Sequence, residues 1–399
     1  MTFRRIYVLW VLTGVFLLGL LFYPVLPKVN LQSYWLLVGM TALFYAILAS
    51  SWSLLAGYTG QFSFAHMAFM GMGTYAAGIM IRDWGLTPWM ATIAGVLVTG
   101  VVGWLIGYMC LRLRATYLAL FTIAFAEIFR LVVKAEVKIT GGPNGLEIPS
   151  YQRPEAFDRL MKSILPYWDA NQYVPAYYTM ALLFFLSLLF MFFLVRSRFG
   201  LFFRAVREDE EAAAALGVHV VNTRVLAFVV SSMIAGLAGI VFHHFIGLIV
   251  PDEMIIGRMS LIIAMAVIGG SQNLVGAALG AIFIHFALEW LQQIPMPLPV
   301  LERLLFLENW GFSVDLQAGL LRTNAWRMVG FGVLLMLTLR FAQNGLISPI
   351  LDWLARKEAV EEVAKRFQAQ RDMEAVDTAQ PVTSPANPKD DLEAEGEKA

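Results

Sequence analysis

Arg207-Glu208-Asp209-Glu210-Glu211-Ala212-Ala213-Ala214-Ala215-Leu216-Gly217 lies between two apolar stretches, 176–195 and 224–245, each long enough to cross a bilayer. Four consecutive acids suit the positive end of a helix dipole. The alanines that follow are the best helix formers, and Gly217 supplies the left-handed residue at which a helix stops. A helix of about two turns does not hold by itself in water, so this one must dock. A short charged helix joined to a membrane span on each side is a lever for something on the water side. The residues expected to carry that role are Arg207, Glu208, Asp209, Glu210, Glu211, Ala212, Ala213 and Gly217. The plainer alternative is a solvated loop helix.

The rest of the chain agrees with a membrane setting. Of 399 residues, 59% are hydrophobic and only 15% charged, with mean hydropathy +0.67. Soluble domains carry about a quarter charged residues. The formal net charge of zero gives no reason to expect nucleic acid as a partner. The single cysteine, Cys110, lies in an apolar run, where it packs and has no internal disulfide partner. Arg4 and Arg5 precede an apolar run, Ile6 to Val25, with no small-x-small cleavage site after it, so it reads as an uncleaved first span.

Apolar windows of about 20 residues recur along the chain. They predict about ten spans: 6–26, 33–55, 64–81, 89–111, 115–133, 176–195, 224–245, 258–270, 274–292 and 326–343. The expected fold is all-α, a polytopic helical bundle with interrupted helices. Basic residues in short loops favour the cytoplasm. With Arg4 and Arg5 inside, alternation also places Arg112, Arg114, Arg196, Arg198, Arg204, Arg207, Arg340, Arg356 and Lys357 inside. Both termini are then cytoplasmic, and the docking helix sits in a cytoplasmic loop, 196–222. Residues 1–350 are expected to form the membrane domain. The tail, 351–399, starts charged and becomes rich in Pro, Ser, Thr and Ala, which predicts a short helix followed by disorder.

Two apolar runs are broken. The first break is Gly57-Tyr58-Thr59-Gly60-Gln61-Phe62-Ser63-Phe64-Ala65-His66, and the second is Gly269-Gly270-Ser271-Gln272-Asn273. Paired breaks in the two halves of a chain point to a translocation path. Gln61, Ser63 and His66 are therefore candidates for lining one, with helix packing as the alternative. The second break reads as packing or a cytoplasmic turn, and Gly276-xxx-Gly280 and Gly103-xxx-Gly107 read as close helix contacts. Glu127 is a carboxylate in an apolar run and needs a partner. Arg130, three residues on, is in reach on the same helix face. Glu127 is either a path group or half of a structural ion pair near the outer boundary. Thr140-Gly141-Gly142-Pro143-Asn144-Gly145 is a dense turn signal on the outer side. Asn144 is a candidate there for meeting a delivered solute. His285 and Glu289, four apart, read as a hydrogen-bonded pair. His243 and His244 lack the companion ligands of a metal site.

No phosphate-loop, zinc-hydrolase or nucleophile-elbow motif occurs. The chain is not expected to be an enzyme or to hold a metal or cofactor. Any hydrolysis of ATP must take place in another protein.

Gly57–Gly78 resembles the signature of the LivM-type permease subunits of branched-chain amino acid ABC importers. Three further pieces match in the same order: Leu111–Arg130, Thr140–Leu146, and Ser197–Val218. The glycine run Gly269–Gly280 also looks like a late motif of that family, so the resemblance covers roughly residues 30–345. Glu211-Ala212-Ala213 followed by Gly217 resembles the loop with which such permeases dock on their ATPase. The resemblance implies a second, LivH-like permease subunit, two cytoplasmic ATPase subunits, a periplasmic solute-binding protein, and a place in the lipid of a bacterial inner membrane. It implies alternating access driven by ATP elsewhere. Urea and short-chain amide permeases share much of the signature and remain the alternative solute class. An ion-coupled secondary transporter is the rival outside the family.

Overall fold

Helix α1, Ser33–Thr59, is apolar on every side, and a helix without a polar face belongs inside a bundle. In the computed structural model it lies there, with Trp52, Leu36, Met40, Leu43, Ile47 and Leu48 fully enclosed. The structure describes residues 23–25, 33–109, 115–149 and 173–293, together with positions 19, 159, 162, 163, 330, 332, 333, 336 and 340. These all fall in the larger of two units into which the chain divides, Leu12–Pro349.

After α1 come α2 (His66–Trp84), α3 (Pro88–Met109), α4 (Ala115–Ala135) and a single turn, α5 (Val137–Thr140). A 3-10 turn, Gly142–Asn144, leads to strand β1 (Leu146–Glu147). Then follow α6 (Tyr173–Arg196), α7 (Arg198–Glu208), α8 (Glu210–Ala215) and α9 (Val220–Ile246). Strand β2 (Leu248–Ile249), a 3-10 turn (Pro251–Met254), α10 (Ile256–Gly269) and α11 (Leu274–Gln293) complete the described elements. α1 is flanked by α6, α9 and α11, and α9 also packs on α2 and α3.

Among the described residues, five helices are long and apolar enough to cross a membrane: Ser33–Thr59, Pro88–Met109, Tyr173–Arg196, Val220–Ile246 and Leu274–Leu291. α2 and α4 have the length, with 19 and 21 residues, but α2 carries Arg82 and Asp83 near its end and α4 carries Glu127, Arg130 and Lys134 along its second half. α10 has 14 residues, which at about 1.5 Å each fall short of the ~30 Å hydrocarbon core. The run expected at 258–270, already short for a span, is this helix. The spans expected at 6–26 and 326–343, the long segment 293–325 and the tail from 351 lie outside the described residues.

The outward faces of α3 and α6 carry the side chains a lipid face requires. Trp89, Ile93, Leu97, Val101 and Trp104 project from α3, and Leu182, Leu186, Phe190 and Phe193 from α6. The buried faces are made of small residues. A Cβ on Gly103 would lie 2.1 Å from Ser232 Oγ on α9, and one on Gly280 would lie 2.5 Å from Gly269 Cα on α10. Gly103-xxx-Gly107 and Gly276-xxx-Gly280 are close helix contacts. One departure from an all-α chain is the two-residue antiparallel ladder, Leu146 opposite Ile249 and Glu147 opposite Leu248. Strands this short show no alternation that a sequence reading could detect.

Candidate functional site

Four contacts gather at the Thr59 end of α1. Gly57 lies so close to the α10–α11 turn that a Cβ there would stand 1.8 Å from the Ser271 carbonyl oxygen. Ser53 Oγ donates to that same oxygen at 2.6 Å. Arg207 Nη1, from the end of α7, donates to the Gly57 carbonyl at 2.7 Å. The guanidinium of Arg204 sits 5.5 Å over the Tyr58 ring. The last carbonyls of a helix lack intrahelical donors and carry the negative end of its dipole, so a cation placed there is favoured twice.

The acidic run does not start one helix, as the sequence suggested. Glu208 ends α7, and Asp209 has extended backbone (φ −157°) and caps α8. Its carboxylate accepts from Glu211 N at 2.9 Å and Ala212 N at 3.0 Å. α8 is thus six residues long, Glu210 to Ala215. Its other end closes with paired bonds, Gly217 N to Ala214 O and Val218 N to Ala213 O, with Gly217 at φ +85°. Glu210 pairs with Arg224 on α9, and Ala213 is the buried anchor of α8. Leu216 is 86% exposed at the tip. The unit α7–α8 is therefore tied to α1 through Arg207 and to α9 through Arg224. Sequence reading singled out Arg207 but not Arg204 or Arg224, whose partners are remote in the chain.

From Gly60 to Ala65 the chain is unwound and runs back along the last turns of α1. Gln61 N donates to Leu55 O at 3.3 Å. Trp52 Nε1 donates to Ser63 O at 2.9 Å, and Phe64 N to Thr122 Oγ1 on α4 at 3.0 Å. Unwound backbone inside a bundle needs such partners. At its end, His66 Nε2 meets Ser231 Oγ on α9 at 2.6 Å, and that hydroxyl donates to Ser51 O on α1 at 2.8 Å. Because the Ser231 proton goes to Ser51, its oxygen accepts, and His66 Nε2 carries the proton. His66 Nδ1 is buried without a partner. Gln61, Ser63 and His66 are thus brought together, all buried, at the junction of α1, α2 and α9. Ser51 stands eight residues before Thr59, so α2 starts about 12 Å inside that end of the bundle.

Glu127 and Asn144 are not part of this junction. Glu127 pairs with Arg130, as the three-residue spacing implied. Arg130 also reaches Asp252 at 3.2 Å, and Lys134 reaches it at 3.1 Å. Asn144 is exposed in its 3-10 turn. Both lie toward the Ser33 end, where segment 247–255 meets its neighbours. Here Ile148 N donates to Gly247 O at 2.9 Å, and His244 Nδ1 donates to Pro149 O at 2.5 Å. A Cβ on Gly71 of α2 would meet Met254 Sδ at 2.0 Å, so Met254 fills that notch. His243 Nδ1 is 2.8 Å from Gly239 O, and its Nε2 is 2.9 Å from Glu253 Oε2. Burial pushes the Glu253 carboxyl up, but the hydrogen bond and charge of His243 and the charge of Arg258 outweigh it and hold the carboxyl below its usual 4.5. His243 does have a carboxylate beside it, yet no group of three or more metal-ligating side chains occurs among the described residues. At the same end, Glu289 accepts from the Tyr34 hydroxyl, and His285 lies against the Tyr45 ring, 5.4 Å between centroids. An apolar cavity of about 250 Å³ opens nearby among Tyr23, Gly39, Leu43, Tyr177, Ile282 and Phe286.

Residues 34–339 match a family described as "Branched-chain amino acid transport system / permease component". The high-affinity branched-chain amino acid transport system permease protein LivM of Salmonella typhimurium is 29% identical over 259 residues, 62% of this chain and 61% of that protein. The corresponding LivH of the same organism is 26% identical over 255 residues, 61% of this chain and 80% of that protein. The autoinducer 2 import system permease protein LsrC of Klebsiella pneumoniae is 43% identical over 97 residues, 23% of this chain and 28% of that protein. The matched part of this chain thus spans 61% of the length of its LivM relative. No solved structure matches.

Proposed function

This chain belongs to the family of branched-chain amino acid transport system permease components, and from that premise we propose that it is a transmembrane permease subunit of an ABC importer. Its cargo is a branched-chain or other hydrophobic amino acid. It works beside a LivH-like sister permease, two cytoplasmic ATPase subunits and a periplasmic solute-binding protein, in a bacterial inner membrane. The Thr59 end of α1 faces the cytoplasm, as do both termini.

One observation carries this reading: α7–α8 is clamped to two spanning helices at once, by Arg207 on Gly57 O and by Glu210 on Arg224. A docking helix can work as a lever only if its displacement is passed on. α8 offers its acids and Leu216 to the water side, which suits a basic-rimmed apolar groove on an ATPase. Displacement of α8 pulls on α9 through its own backbone and on the end of α1 through Arg207. Both helices meet again at Ser231, His66 and Ser51. Gln61, Ser63 and His66 are thus placed to move with the lever, and we assign the cytoplasmic part of the path to that junction. Glu127 and Asn144 are assigned to the outer end, Glu127 as an ion-pair residue. The resemblance over 97 residues to an autoinducer 2 import permease supports a second reading, a solute that is not an amino acid.

The test is uptake of radiolabelled leucine by liposomes holding this chain with its sister permease and ATPases, supplied with the binding protein. Uptake is expected only with ATP inside and with all partners present. Uphill uptake by the chain alone, driven by an ion gradient, would overturn the proposal.

A further inference from the structure

α6 ends on a cation that belongs to its lipid face. Leu189, Phe192 and Arg196 follow one another at three- and four-residue spacing, and all are exposed. The helix has 24 residues, about 36 Å of rise. That length carries Arg196 out of the ~30 Å hydrocarbon layer to the headgroups. The Arg196 guanidinium lies 4.4 Å over the Phe192 ring. Stacked in this way, it keeps the N–H groups of its own plane available to an anion.

α7 starts there and turns aside. Ser197 caps it, accepting from Phe199 N at 3.2 Å. Gly200 lies so close to the end of α6 that a Cβ would stand 1.9 Å from the Val195 carbonyl oxygen. The other end of α7 is tied to the last turn of α1 by Arg204 and Arg207. A helix fixed at one end to the end of α6 and at the other to the end of α1 runs along the membrane boundary. Gly200, Phe203 and Val206 are its buried face. Arg198, Leu201 and Phe202 share the opposite face, with Leu201 63% exposed. No acid occurs from Arg196 to Arg207. Among the described residues neither Arg196 nor Arg198 is paired with a carboxylate. Exposed apolar side chains beside an unpaired cation, on a helix lying at the boundary, suit an apolar edge among acyl chains and a cation on phosphate.

We propose that Arg196 and Arg198 hold the headgroup of an anionic phospholipid, with Leu201 and Phe202 seated against its acyl chains. Two features name a lipid as the occupant. The lipid face of α6 runs into the site through Phe192 and Arg196, and the site offers two cations without an acid, which is how basic residues at a membrane surface recruit anionic lipid. The bound lipid anchors the start of the arm α7–α8 at the boundary. The proposal rests on the transport reading only for the leaflet, the cytoplasmic one, that the site meets.

The test measures which lipid stands at Leu201. The full chain carrying Leu201→Cys in a Cys110→Ser background is labelled with a bimane fluorophore and placed in bilayer vesicles. Spin-labelled phosphatidylcholine or spin-labelled phosphatidylglycerol, with the quenching group high on the acyl chain, is added in known fractions. Quenching then gives the relative affinity of the two lipids for that spot. Leu186→Cys, on the lipid face of α6, is the reference position. At low salt, phosphatidylglycerol is expected to be favoured at position 201 by about fivefold or more, the scale of one or two basic groups at a membrane surface, and not at position 186. The preference should fall toward one when Arg196→Gln and Arg198→Gln are combined, with quenching at position 186 unchanged as the sign of an intact fold. It should also shrink in about 1 M salt, where the screening length is about 3 Å. A probe at position 201 that no lipid quenches, while the one at 186 is quenched, means that protein or water covers the face and overturns the proposal. Equal quenching by both lipids, or a preference that survives the double substitution, overturns it too. The measurement uses neither solute nor ATP, so each of these results leaves the transport reading untouched.

Discussion

Gly57→Ala tests the junction between α1 and the α10–α11 turn. The new Cβ would stand 1.8 Å from Ser271 O and 2.8 Å from Ser271 C. Ordinary contact begins near 3.4 Å, so one backbone must retreat by roughly 1.5 Å. Neither is free to do so. The turn is fixed by Ser53 Oγ on Ser271 O at 2.6 Å and by Ser50 Oγ on Leu274 O at 3.1 Å. The α1 backbone is held by Arg207 on Gly57 O. Overpacking of this kind costs about 1–3 kcal/mol, and losing one of the hydrogen bonds adds about 1 kcal/mol. The sum is about 2–4 kcal/mol, or roughly 4–8 °C in the melting temperature of a large chain. Gly85→Ala is the control, because nothing lies within 4 Å of its Cβ and only its φ of +65° is strained, at about 1–2 kcal/mol. Melting of the purified full chain, followed by fluorescence-detected size exclusion, should therefore rank Gly57→Ala below Gly85→Ala. Pairing Gly57→Ala with Ser271→Gly should not restore stability, because the obstacle is a backbone oxygen. Recovery in that double variant, or the opposite ranking, would refute the reasoning.

Asp209→Ala removes the acceptor for two amides and should weaken α8 by about 1 kcal/mol, read as faster amide exchange at Glu211 and Ala212. Trp52→Phe leaves Ser63 O without its donor inside the bundle. It should cost about 1–3 kcal/mol, seen as a lower melting temperature, and a neutral result would contradict the packing of the unwound stretch. The Glu253 carboxyl is held below 4.5 when folded. Its contribution to stability is therefore complete above that value and fades as the pH falls through the lower, folded value. Melting between pH 7 and pH 3 should show an acid loss that is smaller in Glu253→Gln, and equal slopes for both proteins would contradict this.

Most of the helical frame is legible in the sequence, because a span needs one long apolar run and nothing else. The runs at 89–111 and 274–292 fall within a few residues of α3 and α11. Register within the acidic run is not legible. Glu208, Asp209, Glu210 and Glu211 all suit a helix start, and only the side chain that reaches two amides shows that Asp209 is the cap. Gly217 stands out because few other residues tolerate its backbone. The Ser33-end contacts stay hidden for a different reason. Arg130 and Asp252 are 122 residues apart, and the two-residue ladder has no periodicity. The Arg130 spacing gives Glu127 its nearest partner, but nothing local announces Asp252. The one available hint is Pro251-Asp252-Glu253, two acids placed at the mouth of an apolar run.

The central claim is that movement of α7–α8 enters the bundle through Arg207. It is tested by the leucine transported per ATP hydrolysed in liposomes holding the assembled importer, for the native chain and for Arg207→Ala. The account predicts that ATP hydrolysis continues while the yield of leucine per ATP falls by about tenfold, a coupling energy of ordinary size, with the protein still assembled. An unchanged yield, or uptake and hydrolysis falling together in proportion, would contradict it.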